Sequence, residues 1–362
     1  MTGKIVLRVL LFLVYFVPTA FAAPVTDLSV KHMHIRHMYV LGDSLSDQGN
    51  LFAATSVIGP PLGLPAIPAD DHYFKGRFSN GEIYAGVLAR KLGVTLAPSL
   101  AGGNNFAFGG ARTNYNRVEM PRGPYPVGAY DWSLNLQREA FINRVAAKGA
   151  DPTALYVVFS GSNDVGDILA FRLDPATTIA NTVEGIRNVL LAFKAAGART
   201  ILVPNISNLG LVPSVTRFGP QVAAFATSLS KQFNAALDDM LDSVTGVNII
   251  RFDTFAFLTD AVANPAKYGF SNVTQPCYSG FVSPDPTATE CTNPDAYLFW
   301  DMEHPTRRLH SILAHQLFRS VRHCEAEGRA SAPGQPDGET EKPDFVTKCE
   351  VNTHAHLIRP DR

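Results

Sequence analysis

Short apolar runs alternate along this chain with longer stretches whose apolar residues recur every three or four positions. The runs Met38-Tyr-Val-Leu41, Ala154-Leu-Tyr-Val-Val-Phe159, Thr200-Ile-Leu-Val203 and Val247-Asn-Ile-Ile-Arg-Phe252 are rich in β-branched and aromatic side chains. Each stops at polar or turn residues: Gly42-Asp43-Ser44, Ser160-Gly161-Ser162-Asn163-Asp164, Pro204-Asn205 and Asp253. Runs of this kind are what strands buried on both faces look like. Between and after them, helical spacing links Ile179, Val183, Ile186, Leu190 and Phe193. It also links Val222, Phe225, Leu229, Phe233, Leu237 and Leu241, and then Leu309, Ile312, Leu313, Leu317 and Val321. These stripes are read as helix faces turned to a core. Strand–helix alternation predicts a single α/β domain on a doubly wound parallel sheet. In such a sheet ligands bind beyond the carboxyl ends of the strands, so the polar residues closing each run are the candidates for chemistry.

The first 22 residues follow a different pattern. Lys4 and Arg8 precede an apolar run from Val9 to Val17, and Ala20-Phe21-Ala22 has the small–x–small form of a cleavage site. The run is shorter than the roughly 20 residues a spanning helix needs, so residues 1–22 are read as a secretory signal peptide. The reading places the protein outside the cytosol: extracellular, or periplasmic if bacterial and retained. The whole chain has 362 residues and a formal charge of −1, with 31 Lys and Arg against 32 Asp and Glu. A chain so nearly neutral lacks the clustered cations that nucleic acid requires.

An oxidising compartment changes the meaning of the four cysteines, Cys277, Cys291, Cys324 and Cys349. They predict two disulfides rather than a metal site. Proximity favours Cys277–Cys291 and Cys324–Cys349, although four cysteines allow three pairings. Residues 325–343 hold no large apolar side chain. The reading therefore ends a catalytic domain (23–323) before a polar, disulfide-tethered tail (324–362). Asn205-Ile-Ser207 and Asn272-Val-Thr274 fit the glycosylation pattern. His32, His34 and His37, with His354 and His356, are the one histidine grouping that suggests a metal. No Cys or acid completes a ligand set, so no metal is assigned.

Three groups of residues carry chemistry. Ser44 sits on a turn past the first strand, where a hydroxyl is exposed at the sheet edge; a helix N-cap is the plainer explanation. In Phe299-Trp-Asp301-Met-Glu-His304-Pro305 an acid and a histidine three apart can share one turn. The acid would orient the imidazole, and the imidazole would take a proton from a serine elsewhere. Acyl transfer also needs donors for an oxyanion. Asn163 offers an amide, and Asn104-Asn-Phe106-Ala-Phe-Gly109-Gly110-Ala111 offers a glycine-rich turn.

In this order the blocks resemble those of the SGNH, or GDSL-type, hydrolase superfamily, from about Tyr39 to about Leu317. The resemblance implies a flavodoxin-like, three-layer α/β/α fold and a serine ester hydrolase that needs no cofactor. It assigns Ser44 as nucleophile, His304 as general base and Asp301 as its orienter. Asn163, Gly110 and the Ser44 N–H become the oxyanion donors, with Gly109 a near alternative to Gly110. Tyr73-Phe-Lys-Gly76-Arg77-Phe78-Ser79-Asn80-Gly81 and a paired Cys277–Cys291 look like the secreted lipase, phospholipase and acyltransferase branch. The same triad would serve a phospholipase A, a lysophospholipase or a glycerophospholipid acyltransferase. The partner so implied is a small-molecule ester or lipid, with transient contact to a membrane surface; the oligomeric state is left open. A non-catalytic binding protein on this fold would be marked by loss of Ser44, Asn163 or His304, and none is lost. The uncharged stretch from Phe52 to Pro68 is the expected lining of an acyl-chain pocket, or else surface packing.

Overall fold

The computed structural model describes residues 35–68, 71–114, 132–330 and 344–350. The segment read as a signal peptide, His32, His34, His354 and His356 lie outside these residues.

Strand β1 (Met38–Gly42) leads through a tight turn into α1 (Asn50–Ile58), followed by α2 (Tyr84–Lys91) and α3 (Leu134–Val145). Then come β2 (Leu155–Phe159), α4 (Ser162–Phe171), α5 (Pro175–Ala196), β3 (Thr200–Pro204), α6 (Pro213–Thr216) and α7 (Pro220–Ser243). The rest is β4 (Asn248–Phe252), α8 (Thr254–Ala263), α9 (Pro265–Tyr268), β5 (Asn272–Pro276), β6 (Tyr297–Phe299), α10 (Arg307–Ala330) and β7 (Val346–Glu350). Local signals set several ends. Asp174 caps α5 by accepting the Thr177 N–H at 2.8 Å, with Pro175 opening the helix, and Gly197 closes it at φ 109°.

The main sheet has the order β1-β2-β3-β4-β7. The first four strands are parallel in register, for example Val40 opposite Val157 and Ile201 opposite Ile249. Side chains alternate between two layers, as the pleat demands. Leu155, Val157 and Phe159 of β2 pack with α2, α8 and α10, while Tyr156 and Val158 pack with α3, α5 and α7. The expected three-layer α/β/α arrangement is therefore the observed one.

At the outer edge of β1, a ribbon from Asn104 to Phe108 runs alongside it. The Val40 N–H donates to Asn104 O, the Phe106 N–H to Val40 O and the Phe108 N–H to Gly42 O. The chain thus crosses outward from β1 to this ribbon and then returns to β2 on the other side. The reversal falls at β1, and a doubly wound sheet opens its binding crevice at such a point.

Three expectations need correction. The sheet is not wholly parallel: β7 pairs antiparallel with β4. The residues from 324 onward are not all a tail outside the domain. α10 continues to Ala330, and Phe345 and Val346 are buried in the core, Phe345 ring-to-ring with Phe252 and Phe257 at 6.1 and 5.4 Å. A polar stretch hid a five-residue strand (Val346–Glu350) too short to show a period. Finally, the first two members of the predicted α7 stripe are not core: Phe225 is 48% exposed and Val222 half-buried. Both predicted bonds are formed, Cys277–Cys291 and Cys324–Cys349. The second joins α10 to β7. Among the described residues no helix is long and apolar enough to cross a membrane.

Candidate active site

The turn after β1 is held from several sides. The Gln137 side chain on α3 accepts the Gly42 N–H and donates to the Gly42 carbonyl, both at 2.9 Å, a closed pair that fixes the end of the strand. Asp43 is buried; its carboxylate accepts the Leu45 N–H, and its carbonyl accepts the Ser46 N–H. Burial pushes the Asp43 carboxyl up to about 7, against the opposing pull of its hydrogen bond and of His304. Asn105 of the edge ribbon donates to Ser46 O at 2.7 Å. The Ser46 and Tyr84 hydroxyls share a hydrogen bond of 2.7 Å. Ser44 is left half-buried between these fixed neighbours.

Asp301 and His304 lie between β6 and α10, on a turn closed by the Trp300 N–H donating to His304 O at 2.7 Å. Asp301 is fully buried and accepts the N–H groups of Glu303 and His304, both at 2.7 Å. His304 Nδ1 lies 2.8 Å from Asp301 Oδ2, and His304 Nε2 lies 2.9 Å from Ser44 Oγ. A carboxylate can only accept, so Nδ1 carries the proton of the neutral ring. Nε2 is then the lone-pair nitrogen, facing the serine hydroxyl. Burial opposes both charges, but the pair outweighs it: Asp301 is held below the ordinary carboxylate range and His304 above the ordinary histidine value. Glu303 lies exposed at the cavity rather than on the imidazole.

One residue at this centre has no signal in the spacing. Tyr73 donates its hydroxyl to Asp301 Oδ2 at 2.7 Å across a separation of 228 residues. Burial, then the adjacent carboxylate, keep the phenol protonated far above its usual range. Tyr73 packs edge-on to Tyr278 and Trp300, which stack on each other at 5.6 Å. This cluster sits on Cys277–Cys291, and the Cys277 N–H donates to Phe299 O two residues before Asp301. Phe78 and Phe281 flank the His304 ring at 5.1 and 6.0 Å.

The expected oxyanion residues come together as a laced block. The Asn163 amide donates to Ala111 O at 3.0 Å, and Asn163 lines the same cavity as Ser44. Thr113 donates its N–H and hydroxyl to Asp164. Arg112 forks onto Asp167 at 2.9 and 3.0 Å and donates to Gly110 O at 2.6 Å. Gly110 takes φ 71°, which a glycine adopts without strain. The Gly109 N–H is already given to Asp47 Oδ2 at 2.9 Å. Asp47 also accepts the N–H groups of Gly49, Asn50 and Leu51.

Beside Ser44 and His304 opens a cavity of about 680 Å³, within the usual range for small-molecule sites. Its walls come from α4 (Leu169, Ala170), the segment from Leu209 to Val222, α8 (Phe257, Leu258) and α10 (Leu309, Leu313). No residue of Phe52–Pro68 lines it. That stretch is surface, with Val57 at 74% and Leu62 at 48% exposure, and Ile67 packs beneath Phe78. The apolar lining comes from four elements far apart in sequence. An uncharged local segment was therefore the wrong signal to follow. His37, the described member of the suggested metal grouping, is paired with Asp151 at 2.6 Å.

An α/β fold whose switch point brings Ser44, His304 and Asp301 within hydrogen-bond reach of one another beside an apolar cavity has the parts that serine-dependent ester hydrolysis requires. The family model for GDSL-like lipase/acylhydrolase matches residues 38–317. The chain belongs to that family and is a carboxylic ester hydrolase. Relatives in Arabidopsis thaliana include GDSL esterase/lipase At1g74460, 28% identical over 82% of this chain and 90% of its own length. GDSL esterase/lipase At3g50400 is 27% identical over 77% of this chain and 86% of its own length. Among solved structures, the M. smegmatis aryl esterase aligns over 80% of this chain and 99% of its own, with 15% identity and a TM-score of 0.41.

Proposed function

We propose that the protein is a secreted serine hydrolase that cleaves esters of apolar acyl chains through an acyl-enzyme on Ser44. The observation that carries this reading is the continuous relay Ser44 Oγ–His304–Asp301, at 2.9 and 2.8 Å, opening on an apolar cavity.

His304 Nε2 takes the Ser44 proton as Oγ adds to the ester carbonyl. The tetrahedral oxyanion is met by the Asn163 side chain and by the N–H groups of Ser44 and Gly110. Gly110 is preferred to Gly109 because the Gly109 N–H is committed to Asp47. His304 then gives the proton to the leaving alcohol, which departs as the carbonyl re-forms. Water adds to the acyl-enzyme with His304 again as base, and the acid is released. The acyl chain occupies the cavity between α4, α7, α8 and α10, whose walls fit hydrocarbon and offer a sugar few partners. Two disulfides support an oxidising compartment and agree with cleavage after Ala22.

A fluorophosphonate tests the mechanism. The expected adduct is on Ser44, with hydrolysis of p-nitrophenyl esters lost in Ser44→Ala. Labelling elsewhere, or an active Ser44→Ala, would overturn it. In a chain-length series kcat/KM is expected to rise from acetyl to longer acyl groups. Equal turnover across the series would remove the acyl-pocket assignment.

A further inference from the structure

Three phenylalanines are exposed among the described residues: Phe218 at 63%, Phe225 at 48% and Phe281 at 38%. Single exposed apolar side chains are ordinary. These three are distinguished by their position. Phe218 is both a wall of the acyl cavity and an open surface residue. Phe225 lies one helical turn beyond Val222, another cavity wall, on the outer face of α7. Phe281 lies over the imidazole of His304, at an interplanar angle of 20°.

The segment forming this side of the opening is unusual in charge as well. From Leu209 to Ser230 the only charged side chain is Arg217. Its guanidinium lies 4.7 Å from the Phe218 ring, an arrangement that keeps a cation beside an aromatic face at the protein surface. An apolar rim carrying one cation suits the boundary between acyl chains and phosphate headgroups. The rim is also continuous with the cavity, because Phe218 both lines it and is open to solvent.

We propose that the α6–α7 rim, Phe218 with Phe225 and Arg217, docks the protein on a lipid surface, so that acyl chains pass from the aggregate into the cavity without crossing water. The inference rests on the assignment of Ser44 and its cavity as the ester site. It adds to that assignment the physical state of the substrate, ester in a lipid layer rather than free in solution.

The test uses the mature protein and vesicles of a diether phosphatidylcholine, which has no ester to cleave. The wild type is expected to float with the vesicles. Phe218→Trp, placed at the rim, should shift its emission to the blue when they are added. Phe225→Asp is expected to lower the bound fraction at least about tenfold, the scale of one partly buried phenylalanine. Its rate on soluble p-nitrophenyl acetate should stay unchanged. A wild type that stays with the soluble fraction would overturn docking. So would Phe225→Asp floating like the wild type, or Phe225→Asp dissociating a dimer found in solution. Flotation without turnover of any ester would uphold docking and sink the Ser44 assignment, which keeps the two failures apart.

Discussion

Asp301 receives four donors: two backbone N–H groups, the His304 ring and the Tyr73 hydroxyl. Its carboxylate is what makes Nε2 the basic nitrogen. Asp301→Asn is expected to leave the fold intact and to lower kcat roughly 10⁴-fold, as in comparable triads where the wrong tautomer results. The pH profile supplies a second reading. In the proposed mechanism His304 acts as base only when neutral, so kcat/KM is expected to rise with pH as the ring loses its proton. Because Asp301 outweighs burial, that rise is centred above the ordinary histidine value of 6.5. In Asp301→Asn the centre should fall. In Tyr73→Phe it should move slightly upward, since a carboxylate deprived of one donor attracts the imidazolium more strongly. A Tyr73→Phe profile identical to wild type would show that the phenol only packs. The D-x-x-H spacing made the acid–base pair legible because both partners share one turn. Tyr73 was legible only as part of a larger motif, since no local rule connects a tyrosine to a carboxylate in a distant turn. The sequon at Asn205 is a similar case. Its amide donates to Asp253 at 2.9 Å and its oxygen accepts the Phe255 N–H, so both ends of the side chain that would carry a glycan are already held within the fold.

Between residues and the whole lies the block that joins the Gly110 turn to α4. Three rungs cross it, Ala111–Asn163, Thr113–Asp164 and Arg112–Asp167, so the two expected oxyanion groups are positioned as a unit. Asn163→Ala is expected to cost about 10²–10³ in kcat, the usual loss of one such donor. Arg112→Ala touches no reacting atom in the proposed mechanism. It removes a guanidinium from a carboxylate whose side chain is only 2% exposed. The expected result is a loss of about 3 kcal/mol in denaturant unfolding, with a fall in kcat because the Gly110 carbonyl loses its anchor. Unfolding and kcat both at wild-type level would show the fork to be incidental. The glycines and the asparagine were legible as turn and donor residues. The rungs were not, because each spans fifty or more positions and is made by the meeting of a ribbon edge with a helix. The same limit explains the cavity. Its four walls are ordinary amphipathic elements, and only their assembly leaves a gap.

For the molecule as a whole, the carboxyl end of β1 has a thermodynamic cost. Burial raises Asp43 to about 7 and Asp47 and Asp164 to about 6, whereas an unfolded aspartate titrates near 3.8. Between those limits the native state binds more protons than the unfolded state, so stability falls as pH rises through the window. His304, raised in the fold, acts in the same direction: its contribution is complete below the unfolded value and lost as pH passes the folded one. Asp301 has the opposite sign, but its transition lies below the unfolded carboxylate value. Within the range, among the described residues, only His310, lowered by burial to about 3, and His315, also lowered by burial, oppose the trend, up to the unfolded histidine value, as two groups against four. Calorimetry is therefore expected to give a higher Tm at pH 5 than at pH 8, and a Tm that climbs between them would contradict these assignments. The four parallel strands were readable at this scale because burial on both faces writes a plain apolar run. β7 was not, because an edge strand needs only one apolar face and this one follows a polar stretch.

That last strand also determines what a cut would do. Val346–Glu350 is stitched to β4 by backbone pairing and to α10 by Cys324–Cys349. A peptide bond broken anywhere between Ala330 and Asp344 would leave two polypeptides that still travel as one molecule. The nicked form would keep its sheet edge and its mass until a reductant released the short piece. Such a nick during maturation would then leave the size unchanged under oxidising conditions. On a reducing gel the same protein would appear as a shortened chain and a small fragment.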